Sequence, residues 1–185
     1  MGIALADAAC EYGATVDLVL GPVSITPFSK SINIINVTTA ASMASECITR
    51  FPDCDIAILS AAVADFTPGT SSEKKIKKDK NGLVLKLKPT IDIAYELGKL
   101  KNHLQLLTGF ALETDNELEN AREKLARKNF DLIILNSLAE NGAGFEYSTN
   151  KITLIDRNNN IDKFEVKSKD EVAKDILDKI VSMIK

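Results

Sequence analysis

Short apolar runs that alternate with helix-period stretches constrain this chain more than any other feature of it. TVDLVLGPV, the β-branched run at Ile56, Ile58 and Leu59, HLQLLTGFALET and FDLIILN each read as a buried strand bounded by turn residues. Residues 40–50, IDIAYELGKL, and a long amphipathic segment from Thr114 or Asp115 to about Lys128 separate them and read as helices. Strands separated by helices cannot pair as tight hairpins, so the sheet is expected to be mostly parallel and the fold α/β. LVLKLKPT departs from this pattern. Its apolar and polar residues alternate up to Pro89, which predicts a half-exposed strand in a β-hairpin or flap.

The remaining segments fit around that sheet. MGIALADAACEYGA has helix periodicity and a stop at Gly13, and a further short strand is expected from Ile32 to Val37, with Thr38 or Thr39 capping the next helix. KITLIDRNNNIDKFEV reads as a hairpin about an Asn-rich turn. The last helix places Val172, Ile176, Ile180, Val181 and Ile184 on one face. A helix at the first residue suggests that the chain begins inside a βα unit, so residues 1–185 are expected to form a single domain that is N-terminally incomplete.

Composition narrows the partners. With 185 residues and 45% apolar content the chain can bury one substantial core, and its net charge of -3 argues against bulk attraction to nucleic acid or to an anionic membrane. Asp7, Glu11 and Asp17 do not suit a signal peptide, and no apolar run has membrane-spanning length, so a cytoplasmic location is expected. Cys10, Cys47 and Cys54 show no paired spacing and read as reduced structural thiols.

The stretch DIAILSAAVADFTPGTSSEKKIKKDK, from Asp55 to Lys80, carries the chemistry. A strand there empties into small residues, among them Ala61 and Ala62, and then Asp65, where an open α/β sheet admits a ligand close to its backbone. The lysine-rich segment that follows lies beyond Pro68 and Gly69. A cationic loop beside a strand-end carboxylate suits a polyphosphate.

Taken in order, MGIALADAA, GPV at Gly21 to Val23, SAAVADF, KIKK, KPTIDI, GFALET with Asp115, LNSL, and GAGF followed by Asn150 resemble the phosphopantothenoylcysteine synthetase family, also called phosphopantothenate-cysteine ligase. The resemblance implies a Rossmann-like three-layer sandwich, a homodimer, and a ligation step of coenzyme A biosynthesis. In that step 4'-phosphopantothenate is activated by a nucleoside triphosphate to an acyl-nucleotide, and the amine of L-cysteine then displaces the nucleotide. KIKK resembles the bacterial type, which implies CTP rather than ATP, and triphosphate chemistry implies Mg2+. The family also carries, upstream of the MG pair, a strand, a glycine-rich turn and an Asn-containing segment that do not occur in this sequence.

Carried over by position, the resemblance puts phosphopantothenate against Ala61, Ala62 and Asp65. It makes Lys75 the catalytic lysine of a closing loop. It assigns nucleotide binding to Gly2, Asp65, Lys75, Lys88, Pro89, Thr90, Phe110, Lys124, Lys128 and Asn136. Lys124 and Lys128 are four residues apart and therefore share a helix face.

Each of these residues also has a plainer explanation. Asp65 suits a helix cap, Phe110 a core position, the lysine cluster a solvated loop, and Lys124 and Lys128 an exposed face with Glu119 and Glu123. Gly142, Gly144 and Phe145 suit a turn, and His103 is given no role. A noncatalytic nucleotide-binding module or truncated remnant of the same fold is the alternative function. A dinucleotide-dependent oxidoreductase lacks its GxGxxG after a first strand, and nucleic-acid binding lacks interleaved aromatics.

Overall fold

The computed structural model describes residues 1–70, 72, 74–77, 83–113, 115–137 and 149–184. Its middle layer is built on β7 (Leu132–Ser137), the strand expected from FDLIILN. Leu132 and Ile134 enter one core and Ile133 and Leu135 the other, so this strand is buried on both faces, as the continuous apolar run requires. β6 (Leu106–Glu113) and then β3 (Ile56–Leu59) lie parallel on one side of β7. On the other side β9 (Ile152–Asp156) and β10 (Ile161–Lys163) form the expected antiparallel hairpin, turned by Asn159 at φ 63.

Helices cover both faces. The first core joins the sheet to α1 (Gly2–Glu11) and α5 (Lys169–Ile184). The second joins it to α2 (Ala40–Arg50), α3 (Ile93–Leu100) and α4 (Glu117–Arg127). The result is the three-layer, Rossmann-like α/β sandwich with a mostly parallel sheet. α2 starts in a capping box, since Thr39 Oγ1 accepts from Ser42 N at 3.0 Å and Ser42 Oγ accepts from Thr39 N at 3.1 Å. Of the two threonines, Thr39 is therefore the cap.

Several local expectations are corrected. α4 begins not at Asp115 but after Asn116, whose left-handed backbone at φ 47 turns the chain without a side-chain cap. On α5, Val181 and Ile184 are not buried with Val172, Ile176 and Ile180, whose core partners are Ala173 and Leu177. Both residues line the large cleft beside β3, in the last turns of the helix, where the sheet does not cover them. The run at Ile56 to Leu59 is only half-buried, because β3 is the edge of its sheet. Thr114, Gly142, Gly144, Phe145, Lys78 and Lys80 lie outside the described residues.

Cys10, Cys47 and Cys54 are free, and burial pushes the Cys47 thiol up to about 11, which leaves it protonated and inert. No helix among the described residues is long and apolar enough to cross a membrane.

Beyond β3 the sheet is interrupted. β1 (Asp17–Leu20) and β2 (Asn33–Asn36) pair with each other in parallel and, among the described residues, with no other strand. A cleft of about 1850 Å³ lies against both β1 and β3, lined by Leu18 and Val19 on one side and Ile56 to Leu59 on the other. Among the described residues each of these strands has a partner on one edge alone.

Candidate functional site

The site is built where parallel strands end. β3 stops at Leu59, level with Gly109 of β6, while β6 and β7 continue to Glu113 and Ser137. The step leaves Ser60 to Asp65 as a loop over the end of the shorter strand, and its small side chains keep the backbone accessible. α1 begins hard against this corner. A Cβ on Gly2 would stand 2.8 Å from Ser60 Oγ, so a glycine is what allows the helix end to come this close.

A ribbon fixes the far side of the corner. β4 (Phe66–Pro68) pairs antiparallel with β5 (Leu87–Pro89), which is the expected flap. At its base Thr90 N donates to the Asp65 carbonyl at 2.9 Å, and Thr90 Oγ1 donates to the Ala64 carbonyl at 2.6 Å. The KPT segment is thus laced to the SAAVADF corner, and Asp65 is held by backbone on both sides. Asp65 does not act as a helix cap, because the chain continues into β4.

The cationic part comes from α4. Lys128, which caps its C-terminus, is 7% exposed, which sets aside the simple surface explanation for this lysine. Its Nζ donates to Asp92 Oδ2, and the other oxygen of Asp92 accepts from Tyr95 N at 3.0 Å to cap α3. Burial lowers the Lys128 pKa and the nearby Asp65 carboxylate opposes that shift. Lys124 Nζ donates to the Phe110 carbonyl at 2.9 Å. The two lysines therefore share a helix face, as expected, but are held by different acceptors.

Gly2, Ala61, Asp65, Pro89, Thr90, Phe110, Lys124 and Lys128 line the large cleft. Ala61 and Ala62 also line a neighbouring pocket of about 660 Å³, together with Gly2 and the Gly21, Pro22 and Val23 of the GPV motif. Phe110 is both a cleft residue and half-buried against the first core. Lys75 and Lys88 are exposed and line neither cavity. Asn136 lies at the same strand edge but outside both linings, with its Oδ1 buried and without a hydrogen-bond partner among the described residues. Asp92 and Tyr95 were not singled out from the sequence. An Asp just ahead of a helical run signals a cap, and nothing in its spacing reveals a second bond to a lysine 36 residues away.

Among the described residues no three His, Cys, Asp or Glu side chains converge as a metal cage. Asp65 is a carboxylate that lines the cleft.

Fold and cleft together define a Rossmann-like domain with a candidate ligand site where its parallel strands end. Its identity follows from comparison with known proteins. The chain belongs to the DNA/pantothenate metabolism flavoprotein C-terminal domain family, whose pattern matches residues 1–184, in agreement with the resemblance read from the motifs. It is 60% identical over 184 residues to a protein from an unidentified prokaryote named cysteine/cysteine sulfinic acid decarboxylase, covering all of this chain and 51% of that one. It is 43% identical over 185 residues to the coenzyme A biosynthesis bifunctional protein CoaBC of Bacillus subtilis, covering all of this chain and 45% of that protein. The chain thus spans about half the length of these curated relatives. Among solved structures, the C-terminal domain of a coenzyme A biosynthesis bifunctional protein CoaBC superposes with a TM-score of 0.83 at 32% identity, over 99% of this chain and 81% of that one. A Cab2 mutant in complex with phosphopantothenate-cysteine shares the fold, with a TM-score of 0.66 at 19% identity over 84% of this chain and 53% of that one.

Proposed function

We propose that this chain is the ligase portion of a longer protein and joins 4'-phosphopantothenate to L-cysteine with consumption of a nucleoside triphosphate. The observation that carries this reading is that Asp65, Phe110 and Lys128, from three separate segments, line one cleft that runs along β3 to its carboxyl end, in a family whose relatives are named for coenzyme A biosynthesis.

The chemistry is two displacements. A carboxylate oxygen of phosphopantothenate attacks the α-phosphorus, the bond to the β-phosphate oxygen breaks, and pyrophosphate leaves. The cysteine amine then attacks the acyl carbonyl, loses a proton, and expels the nucleoside monophosphate as the amide forms. Lys124, Lys128 and the loop residue Lys75 offset phosphate charge, which matters most where water is thin. Ala61 and Ala62 admit the pantothenate arm, Asp65 accepts from its hydroxyl or amide groups, and Phe110 packs on the nucleotide. Gly2, Lys88, Pro89, Thr90 and Asn136 complete the nucleotide contacts. CTP is preferred to ATP on the strength of the KIKK stretch. A magnesium ion brought in with the triphosphate would supply charge neutralisation, and Asp65 would be the carboxylate to hold it.

Two structural features extend the reading. The β4–β5 ribbon presents Phe66, Val84 and Leu87 to solvent, and an uncovered apolar ribbon suits a second copy of the chain, which supports a homodimer. The cleft against β1 and β3, each with one edge unpaired, suits a further strand from the longer protein. The same family relationship supports a cytoplasmic location.

The test is product formation. The longer protein, given 4'-phosphopantothenate, L-cysteine, magnesium and either CTP or ATP, is expected to give phosphopantothenoylcysteine by mass spectrometry, and faster with CTP. Absence of that product with both nucleotides overturns the reading. The name of the 60%-identical relative supplies a second reading, decarboxylation of cysteine or its sulfinic acid. Release of labelled carbon dioxide from either amino acid, without added nucleotide, is the outcome that favours it.

A further inference from the structure

We propose that Asp92 is a positioning residue for phosphate binding, fixing the Lys128 ammonium at the corner of the cleft beside Asp65. The inference rests on the reading that this cleft takes a polyphosphate, and it adds a residue to which the motifs assigned no role.

The geometry carries it. Asp92 uses both carboxylate oxygens, one on Tyr95 N at 3.0 Å and one on Lys128 Nζ. The first bond anchors the carboxylate to the end of α3, so the second holds the ammonium to a rigid element instead of to a mobile side chain. An ammonium has three N–H donors, and one is engaged by Asp92. Lys128 lines the cleft along with Asp65 and Thr90, and its burial leaves the charge poorly hydrated. Asp65 also favours the charged form, so Asp92 is the hydrogen-bonded one of two counter-charges; losing it makes the proton easier to lose, and a neutral amine is a poor phosphate ligand.

The charged and titratable groups around Lys128 come from three segments. Asp65 follows β3, Asp92 and Tyr95 belong to the start of α3, and Glu123, Lys124 and Arg127 lie along the same side of α4 and also line the cleft. The Tyr95 ring centroid is 5.7 Å from Nζ. Of these groups, Asp92 alone has a recorded hydrogen bond to Nζ.

Asp92→Asn separates the two roles of the residue, because Asn caps a helix as well as Asp does but brings no charge. Two measurements on the full chain test the proposal. In the first, the lysine side-chain carbons are followed by NMR through an alkaline titration without nucleotide, the Lys128 signal being assigned by its loss in Lys128→Arg. Lys128 is expected to titrate at lower pH in Asp92→Asn than in the unaltered chain, and an unchanged midpoint overturns the proposal. In the second, binding of magnesium CTP and magnesium ATP is measured from pH 6.5 to 9. The loss of affinity in the variant is expected to be several-fold larger at pH 9 than at pH 6.5, since a greater share of its lysine is neutral at the higher pH.

Asp92→Ala removes the cap as well and serves as the control for a merely structural residue. If the Asn variant binds like the unaltered chain at every pH while the Ala variant loses thermal stability and binds uniformly worse, Asp92 is a cap only. Tighter binding by the Asn variant also contradicts the proposal, because Asp92 would then compete with phosphate. Failure of the unaltered chain to bind either nucleotide counts against the proposed ligase reading, while the NMR titration still decides the role of Asp92.

Discussion

Gly98 of α3 lies so close to the end of α4 that a Cβ on it would stand 2.2 Å from the Lys128 carbonyl oxygen. The same turn is fastened again by Asn129 Nδ2, which donates to the Gly98 carbonyl at 2.7 Å. A residue with no side chain therefore lets α3 press on the turn that aims Lys128 into the cleft. Gly98→Ala has to move backbone to fit, and overpacking of this kind is expected to cost about 2 to 3 kcal/mol. Urea denaturation gives that loss. Nucleotide affinity should fall as well, because Lys128 moves with the turn.

Beside the same turn, Asp131 gathers three donors, and Lys101 Nζ also reaches the Asn129 carbonyl at 2.9 Å. Lys101 Nζ stands 2.7 Å from Oδ2, Leu107 N donates to the same oxygen at 2.8 Å, and Arg157 Nε stands 2.9 Å from Oδ1. Burial lowers the Lys101 pKa while Asp131 opposes that shift. Asp131→Ala leaves a buried ammonium and a strand N–H without their acceptor, and is expected to destabilise the fold by about 3 to 5 kcal/mol. A denaturant midpoint that barely moves would mean that water replaces the carboxylate.

Acid should weaken the fold partly through Asp156. Burial pushes its pKa up, but the Asn160 side chain and backbone, Lys179 and the Asn158 backbone outweigh that, and the net shift is downward. A carboxyl whose folded pKa lies below its unfolded one adds stability above the unfolded value, near pH 4, and loses it as pH falls through the folded value. Denaturant midpoints measured at pH 6 and at pH 3 should therefore differ more in the unaltered chain than in Asp156→Asn. Equal differences would remove Asp156 from the acid response.

Lys75 lies in an exposed segment, so Lys75→Gln should change stability by less than about 0.5 kcal/mol. Its effect on turnover in the longer protein should be large, roughly a hundredfold or more, if it closes over the phosphates as proposed. Parallel melting and rate measurements separate the two effects, and unchanged turnover removes Lys75 from the chemistry.

These residues show what was legible before the structure. The FDLIILN run could only be a strand buried on both faces, because an unbroken β-branched segment between turn signals has few other uses, and β7 is that strand. The flap was equally plain from the alternation in LVLKLKPT. Asp65, Phe110 and Asn136 were expected near one strand edge, and they follow or end the parallel strands β3, β6 and β7, although Asn136 stays outside the cleft.

What escaped depended on contacts between distant segments. Lys128 read as one cation on an amphipathic helix, and no periodicity shows that α3 would cover it. Gly98 read as one more residue of IDIAYELGKL, since close approach leaves no mark on composition. The separation of β1 and β2 from the main sheet was hidden for the same reason: a strand's pattern records its burial and not its neighbour. Asn116 at a left-handed helix start was missed because Thr114, Asp115 and Asn116 all suit a cap and the sequence does not choose among them.

The most direct test of the account is pyrophosphate release by the longer protein with magnesium CTP and 4'-phosphopantothenate but no cysteine. An acyl-nucleotide route predicts a burst of about one pyrophosphate per site, which becomes continuous turnover when cysteine is added. Pyrophosphate that appears only once cysteine is present, or at the same rate without phosphopantothenate, would contradict the activation step on which the proposed function stands.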